Sequence, residues 1–281
     1  MLAHSLAALG ELLAYPFMQR ALLGGIVVGG LGGLLGSLTV VRQLSFFSHT
    51  VSHAALLGMV ISAFTPWDPT WVLLPFTVMF GVGVVLLMRL TQLWSDTILN
   101  IAFSGALAVA IIGLSLSPGY RASLTTYLFG DILAIRSHDL WLSLGVLVVA
   151  IGLLGITLRS QMLMVLHEGM ARAQGIPVLA HQLGFVVLLS LVVAVAIKAV
   201  GVLLVNAFLV IPAASARLVS RRFERFIGRA MVLGGVTAVL GILLSGLTNW
   251  PSGPSIVVVQ LLCFALCIGV SGLTRSGVGQ D

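Results

Sequence analysis

In the stretch SFFSHTVSHAALLG, residues 45–58, two histidines stand four positions apart in an otherwise apolar run, His49 and His53. A helix places residues four apart on one face, so both imidazoles can address one space. Imidazole nitrogen is a common donor to zinc and other first-row metals, and imidazole also exchanges a proton near neutrality. The pair thus offers half of a metal site or part of a proton pathway. The structural alternative is that each ring bonds a backbone carbonyl in a crowded interior. Two donors are too few for a tetrahedral ion, and a second copy of the same helix across a twofold axis would supply the other two.

The elements that must position these rings are membrane helices. Of 281 residues, 59% are hydrophobic and 8% charged, against about 25% charged in soluble domains, which excludes a water-facing surface of ordinary size. The formal net charge of +6 therefore speaks first to topology, and no nucleic-acid partner is expected. The stretch before Ala21 has no basic cluster and carries Glu11, so a cleavable signal peptide is not expected. A bilayer core needs about 20 apolar residues per helix. On that measure the spans are 21–41, 46–64, 71–88, 97–116, 140–158, 183–197, 200–211, 231–247 and 256–273. This is an all-α bundle of nine segments forming one transmembrane domain over residues 1–281. Eight is the alternative if 183–211 forms one long helix, since only Lys198 and Gly201 interrupt that tract.

Arg217, Arg221, Arg222, Arg225 and Arg229 crowd one connection, whereas TPWDPTW and TNWPSGPS hold no basic residue. The arginine-rich loop is expected in the cytoplasm, which places Arg42, Arg89, Arg159, Arg172 and Arg275 inside and leaves Arg20, Arg121 and Arg136 outside. Trp67, Trp71 and Trp250 then fall at the outer interface. The stretch GGIVVGGLGGLLGS, residues 24–37, holds seven glycines. Small residues at that spacing let helix backbones approach closely, within the chain or between subunits. Cys263 and Cys267, four apart in an apolar segment, are expected as small buried hydrophobes.

Residues 159–182 form the longest polar connection, and VLHEGMARAQGIPV within it, residues 165–178, reads as a short amphipathic helix ended by Gly175 and Pro177. It is a docking element or an interfacial connector. A metalloprotease reading of HEGMA fails because Ala171 stands where the second histidine would be. Asn206 could bond across helices or line a polar path, and Asp131 in the outer connection is expected as a cap. No phosphate-cradling G-x-x-x-x-G-K-[ST] loop occurs, so ATP, if it drives the protein, acts through another subunit. An intramembrane metalloenzyme would need a third ligand and a general base, and the apolar segment of the histidines holds no acid.

Three stretches in order resemble one family. VVRQLSFFSHTVSHAALLG is similar to its pattern of a basic residue, Leu-Ser, then Gly-Asp-x-x-Ser-His-Ala and Leu-x-Gly. EGMARAQGIPV is similar to its Glu-x-x-Ala-Arg-x-x-Gly segment, and GVLLVNAFLVIPAASARLVS to its Gly-x-Leu-Leu-Val-x-Ala-Leu-Leu-x-x-Pro-Ala-x-x-Ala signature. The family is the ABC-3 membrane permeases of bacterial importers for zinc, manganese and iron. The resemblance implies a type II importer fold in the inner membrane, with no permanently bound cofactor and a divalent metal as cargo. It also implies a second permease copy, a cytoplasmic ATPase dimer and an extracytoplasmic metal-binding protein as partners. It assigns ATPase coupling to Glu168, Ala171, Arg172 and Gly175, and makes the acid and histidine of Asp-x-x-x-His a metal-coordinating point from both protomers. His53 matches that histidine, and His49 stands where the acid would be. Carboxylate oxygen suits manganese and imidazole suits zinc, so the exchange favours zinc, with manganese or iron, and then a metal chelate, as alternatives.

Overall fold

The computed structural model describes residues 14–91, 93–116, 128–220 and 222–276. The amino-terminal stretch with Glu11, and Arg121 and Arg221, lie outside the described residues. Among the described residues ten α-helices follow one another: α1 Pro16–Val41, α2 Ser45–Ala63, α3 Pro69–Leu90, α4 Ser95–Ser115, α5 Ser137–Leu166, α6 Glu168–Ala173, α7 Val178–Val200, α8 Val205–Leu218, α9 Phe223–Thr248 and α10 Ser252–Ser276. Among the described residues eight of them are long and apolar enough to cross a membrane, and α8 is a shorter apolar helix. The tract 183–211 is therefore two pieces.

The break falls at Gly201, whose backbone takes φ +83, a conformation that costs glycine nothing and other residues a good deal. Gly130, from the connection between α4 and α5, abuts it backbone to backbone, and the Leu203 N–H donates to the Leu128 carbonyl at 3.2 Å. The short segment runs over Val205–Leu218 rather than the expected 200–211, because α8 continues through Pro212. That proline gives no N–H to the Phe208 carbonyl one turn earlier. Gly32 of α1 leaves room for this carbonyl, which would stand 2.9 Å from a Cβ built there.

The core forms around α1 and α7, with 78% and 72% of their apolar windows buried, against 17% to 28% for α3, α4, α5 and α10 on the perimeter. The glycine run explains how α1 reaches the centre. A Cβ at Gly29, Gly33 or Gly36 would run into the backbone of Gly234, Ala230 or Leu209, so these glycines join α1 to α9 and α8 within one chain. Gly36→Val is accordingly expected to destabilise the bundle by about 1–3 kcal/mol or more. Gly83→Val, at a position with nothing within 4 Å of its Cβ, serves as the mild control. Thermal unfolding in detergent separates the two.

The polar ends of the bundle alternate. Arg42 and Glu168 line one cavity, and Arg89 donates to Gln182 at 2.8 Å close by. At the other end Asp68, Asp131, Arg136, Asp139 and Lys198 line a second cavity. There the Lys198 ammonium, near the end of α7, pairs with Asp139 at 2.8 Å and donates to the Thr70 hydroxyl, pinning the ends of α3, α5 and α7 together. Asp68 caps α3 by accepting from the Thr70 N–H at 2.8 Å, and the Thr70 hydroxyl and N–H hold its carboxyl below the usual range. Asp131 caps a single 3-10 turn at Ile132–Ala134, accepting from the Leu133 N–H at 3.0 Å, the role the sequence predicts. Cys263 and Cys267 are free thiols on α10, half-buried rather than fully enclosed.

Candidate functional site

The site is built on α2. Its serines and threonine turn their hydroxyls back onto the helix: Ser48 to the Ser45 carbonyl at 2.8 Å, Thr50 to Phe46 at 2.9 Å and Ser52 to Ser48 at 2.7 Å. The two imidazoles differ. His53 is 9% exposed, and its Nδ1 is buried with no hydrogen-bond partner. An unpaired polar atom at membrane depth costs free energy unless something else engages it.

His49 and His53 do come together, with ring centroids 4.5 Å apart and planes inclined at 62°. Two nitrogens bound to one tetrahedral zinc at about 2.0 Å each are separated by about 3.3 Å. Phe103 of α4 stacks on His49 at 5.5 Å and meets His53 edge-on at 5.0 Å, and Phe46 of α2 stacks on His49 as well, at 6.0 Å. Aromatic walls exclude water and restrict the imidazole rotamers. The Ser48 hydroxyl also donates to the Asn206 side-chain oxygen at 2.6 Å. Asn206, expected either to cross-bond or to line a path, thus ties α8 to α2 one residue before His49.

Sequence reasoning missed Phe103 and Ser48. Phe103 is one of 13 phenylalanines and sits on another helix, so no local pattern marks it. Ser48 was visible inside the motif, but its partner lies 158 residues away. Among the described residues no group of three or more His, Cys, Asp or Glu side chains is placed to hold a metal. Among the described residues one copy thus brings two imidazoles together, those of His49 and His53.

The residues expected in a cytoplasmic loop divide. The expected helix over 165–178 is shorter: α5 runs on to Leu166, the chain turns at His167, and α6 spans Glu168–Ala173. The span expected at 140–158 extends because Arg159 and Gln161 end the apolar run but not the helix, and Gln161 is 3% exposed. Ala171 is fully buried and anchors α6 to the bundle. Glu168 and Arg172 are exposed and pair at 2.5 Å, and Met170 is 51% exposed. Gly175 adopts φ +76, its N–H bonding the Arg172 carbonyl at 3.0 Å while Ile176 bonds Ala171 at 3.1 Å. This closure ends a helix with a left-handed residue and turns the chain into α7.

Comparison with known proteins gives a consistent picture. The profile of the ABC 3 transport family matches residues 14–271. The high-affinity zinc uptake system membrane protein ZnuB of Haemophilus influenzae is 31% identical over 255 residues, covering 90% of this chain and 97% of that protein. The manganese transport system membrane protein MntC of Listeria monocytogenes is 30% identical over 253 residues, covering 90% of each. Among solved structures, PsaBC from Streptococcus pneumoniae in complex with Fab superposes with a TM-score of 0.83 at 29% identity, covering 95% of each chain. An inward-facing ABC transporter of the metal-chelate type shares the fold, with a TM-score of 0.69 at 20% identity.

Proposed function

Because this chain belongs to the ABC 3 transport family, as a multi-pass membrane permease of a zinc/manganese ABC uptake system and not itself an enzyme, we propose that its cargo is zinc, ligated in transit by His49 and His53. The observation that carries this is the pair itself: two imidazoles with centroids 4.5 Å apart inside the bundle, one with a buried ring nitrogen that no group among the described residues engages. An imidazole set favours zinc over the harder manganese, which carboxylate oxygen suits better. The relatives include zinc and manganese systems, and the ligand chemistry of α2 supports zinc. With two donors per chain, a homodimer about a twofold axis completes a four-nitrogen site. Imidazoles bind as neutral bases, so protonation competes with the metal at this site. In the reconstituted permease–ATPase complex with its binding protein, zinc should stimulate ATP hydrolysis more strongly than manganese at equal free-metal concentration.

As the membrane component of an ABC uptake system the chain works with an ATPase and a binding protein. We assign the ATPase contact to α6, whose exposed face carries Glu168, Met170 and Arg172. Gly175 sets the angle at which α6 meets α7. A β-branched side chain at φ +76 is strained by about 1–3 kcal/mol, although nothing within 4 Å obstructs it. Gly175→Val is therefore expected to insert normally and to lose ATPase binding and uptake about tenfold. Gly175→Asn, which tolerates the left-handed region, should lose far less. Co-purification with the ATPase and zinc uptake by vesicles measure both effects, and full uptake by Gly175→Val would contradict the assignment.

A further inference from the structure

The turn between α1 and α2 carries a cation, Arg42, that no anion among the described residues pairs. Arg42 follows the last residue of α1, and the turn closes with Gln43 N–H on the Val40 carbonyl at 3.2 Å and Leu44 N–H on Thr39 at 2.9 Å. Gln43 takes φ +58, a left-handed conformation that glycine would adopt without cost and glutamine does not. Such strain persists only where surrounding structure enforces it. The Arg42 guanidinium lies 4.5 Å above the ring of Phe185, a residue of α7 that is 2% exposed. It therefore points into the bundle end rather than out to the bilayer. Its Nε is buried without a hydrogen-bond partner, and no ion pair among the described residues includes it. Burial pulls its pKa down to about 10.

Arg42 and Gln43 open onto a cavity of about 430 Å³ whose opposite wall is Met164, Glu168 and Gln182. Glu168 is the one acid on this lining, and it is engaged by Arg172 at 2.5 Å. The cavity thus holds an uncompensated, partly desolvated positive charge, which a carboxylate entering from outside would offset. One wall is α6.

We propose that this cavity is a second socket for the ATPase subunit, filled by an acidic side chain of that subunit which pairs with Arg42 and grips the α1–α2 turn. The proposal rests on the assignment of α6 as the ATPase-docking helix, since α6 places the ATPase at this opening. Its consequence is mechanical. α2 begins at Ser45, and His49 lies only four residues, about 6 Å of helix, further on. Movement of the ATPase at the turn acts directly on the helix that carries both histidines, whereas movement at α6 reaches them only through α5 and α7.

A photoreactive benzoylphenylalanine at Gln43 or at Met170, in the assembled permease–ATPase complex, tests this without depending on how a mutant folds. Both probes are expected to crosslink the ATPase, the Gln43 probe to a peptide containing Asp or Glu. Arg42→Gln is expected to lower metal-stimulated ATP hydrolysis about tenfold or more, with Arg42→Lys retaining most of it. Crosslinking from Met170 but not from Gln43 overturns the socket and leaves the role of α6 standing. Crosslinking from neither removes the α6 assignment and the socket with it. Recovery of a phospholipid adduct at Gln43, with activity that requires anionic lipid, identifies a lipid headgroup as the occupant and equally overturns the proposal.

Discussion

Replacing His53 with alanine is expected to abolish zinc uptake and zinc-stimulated ATP hydrolysis, by about 100-fold or more. Two effects combine. A twofold axis turns one substitution into the loss of two of four nitrogens, and even second-sphere changes around bound metals cost 10–100-fold. Alanine also removes the ring that Phe103 meets edge-on at 5.0 Å, so the aromatic wall loses a support. The protein should still fold. Deleting the ring removes a buried nitrogen that has no partner, which offsets part of the lost packing. Thermal unfolding close to wild type together with absent uptake would separate a ligand from a packing group. Uptake equal to wild type would make both histidines packing groups.

The second large effect is a change of preference. His49→Asp keeps the spacing to His53 and exchanges one imidazole for a carboxylate on each protomer. Oxygen donors suit manganese and nitrogen donors suit zinc, so the ratio of zinc to manganese transported in direct competition should fall about tenfold while transport continues. Aspartate forfeits the stacking of His49 on Phe46 and Phe103, worth about 0.5–1.5 kcal/mol per aromatic pair, so a modest loss of thermal stability accompanies the shift. An unchanged ratio would mean that position 49 does not touch the ion.

The histidine pair was legible because helical spacing is local: four residues fix a shared face whatever the rest of the chain does. The glycine run was legible as close approach, but its partners were not, since Gly29, Gly33 and Gly36 meet α9 and α8 about 170 to 200 residues later. The same limit applies to Asn206, whose hydrogen-bonded partner Ser48 lies 158 residues away. Composition misled at α5. Arg159 and Gln161 look like an exit from the membrane, yet backbone hydrogen bonding carries the helix to Leu166, and its 30 residues reach about 45 Å, well beyond a bilayer core of about 30 Å. The loop helix shrank for the same reason, its first residues having been taken by α5. Gly201 was visible as an interruption, and its positive φ is what turns an interruption into a break.

The most direct test of two histidines from each of two chains holding the ion is X-ray absorption spectroscopy of zinc trapped in the permease–ATPase complex locked with a non-hydrolysed nucleotide. The account predicts about four nitrogen neighbours at about 2.0–2.1 Å with the outer-shell scattering of imidazole rings, and loss of that signal in His53→Ala. A shell dominated by oxygen, or an imidazole signal that survives unchanged in His53→Ala, would contradict it.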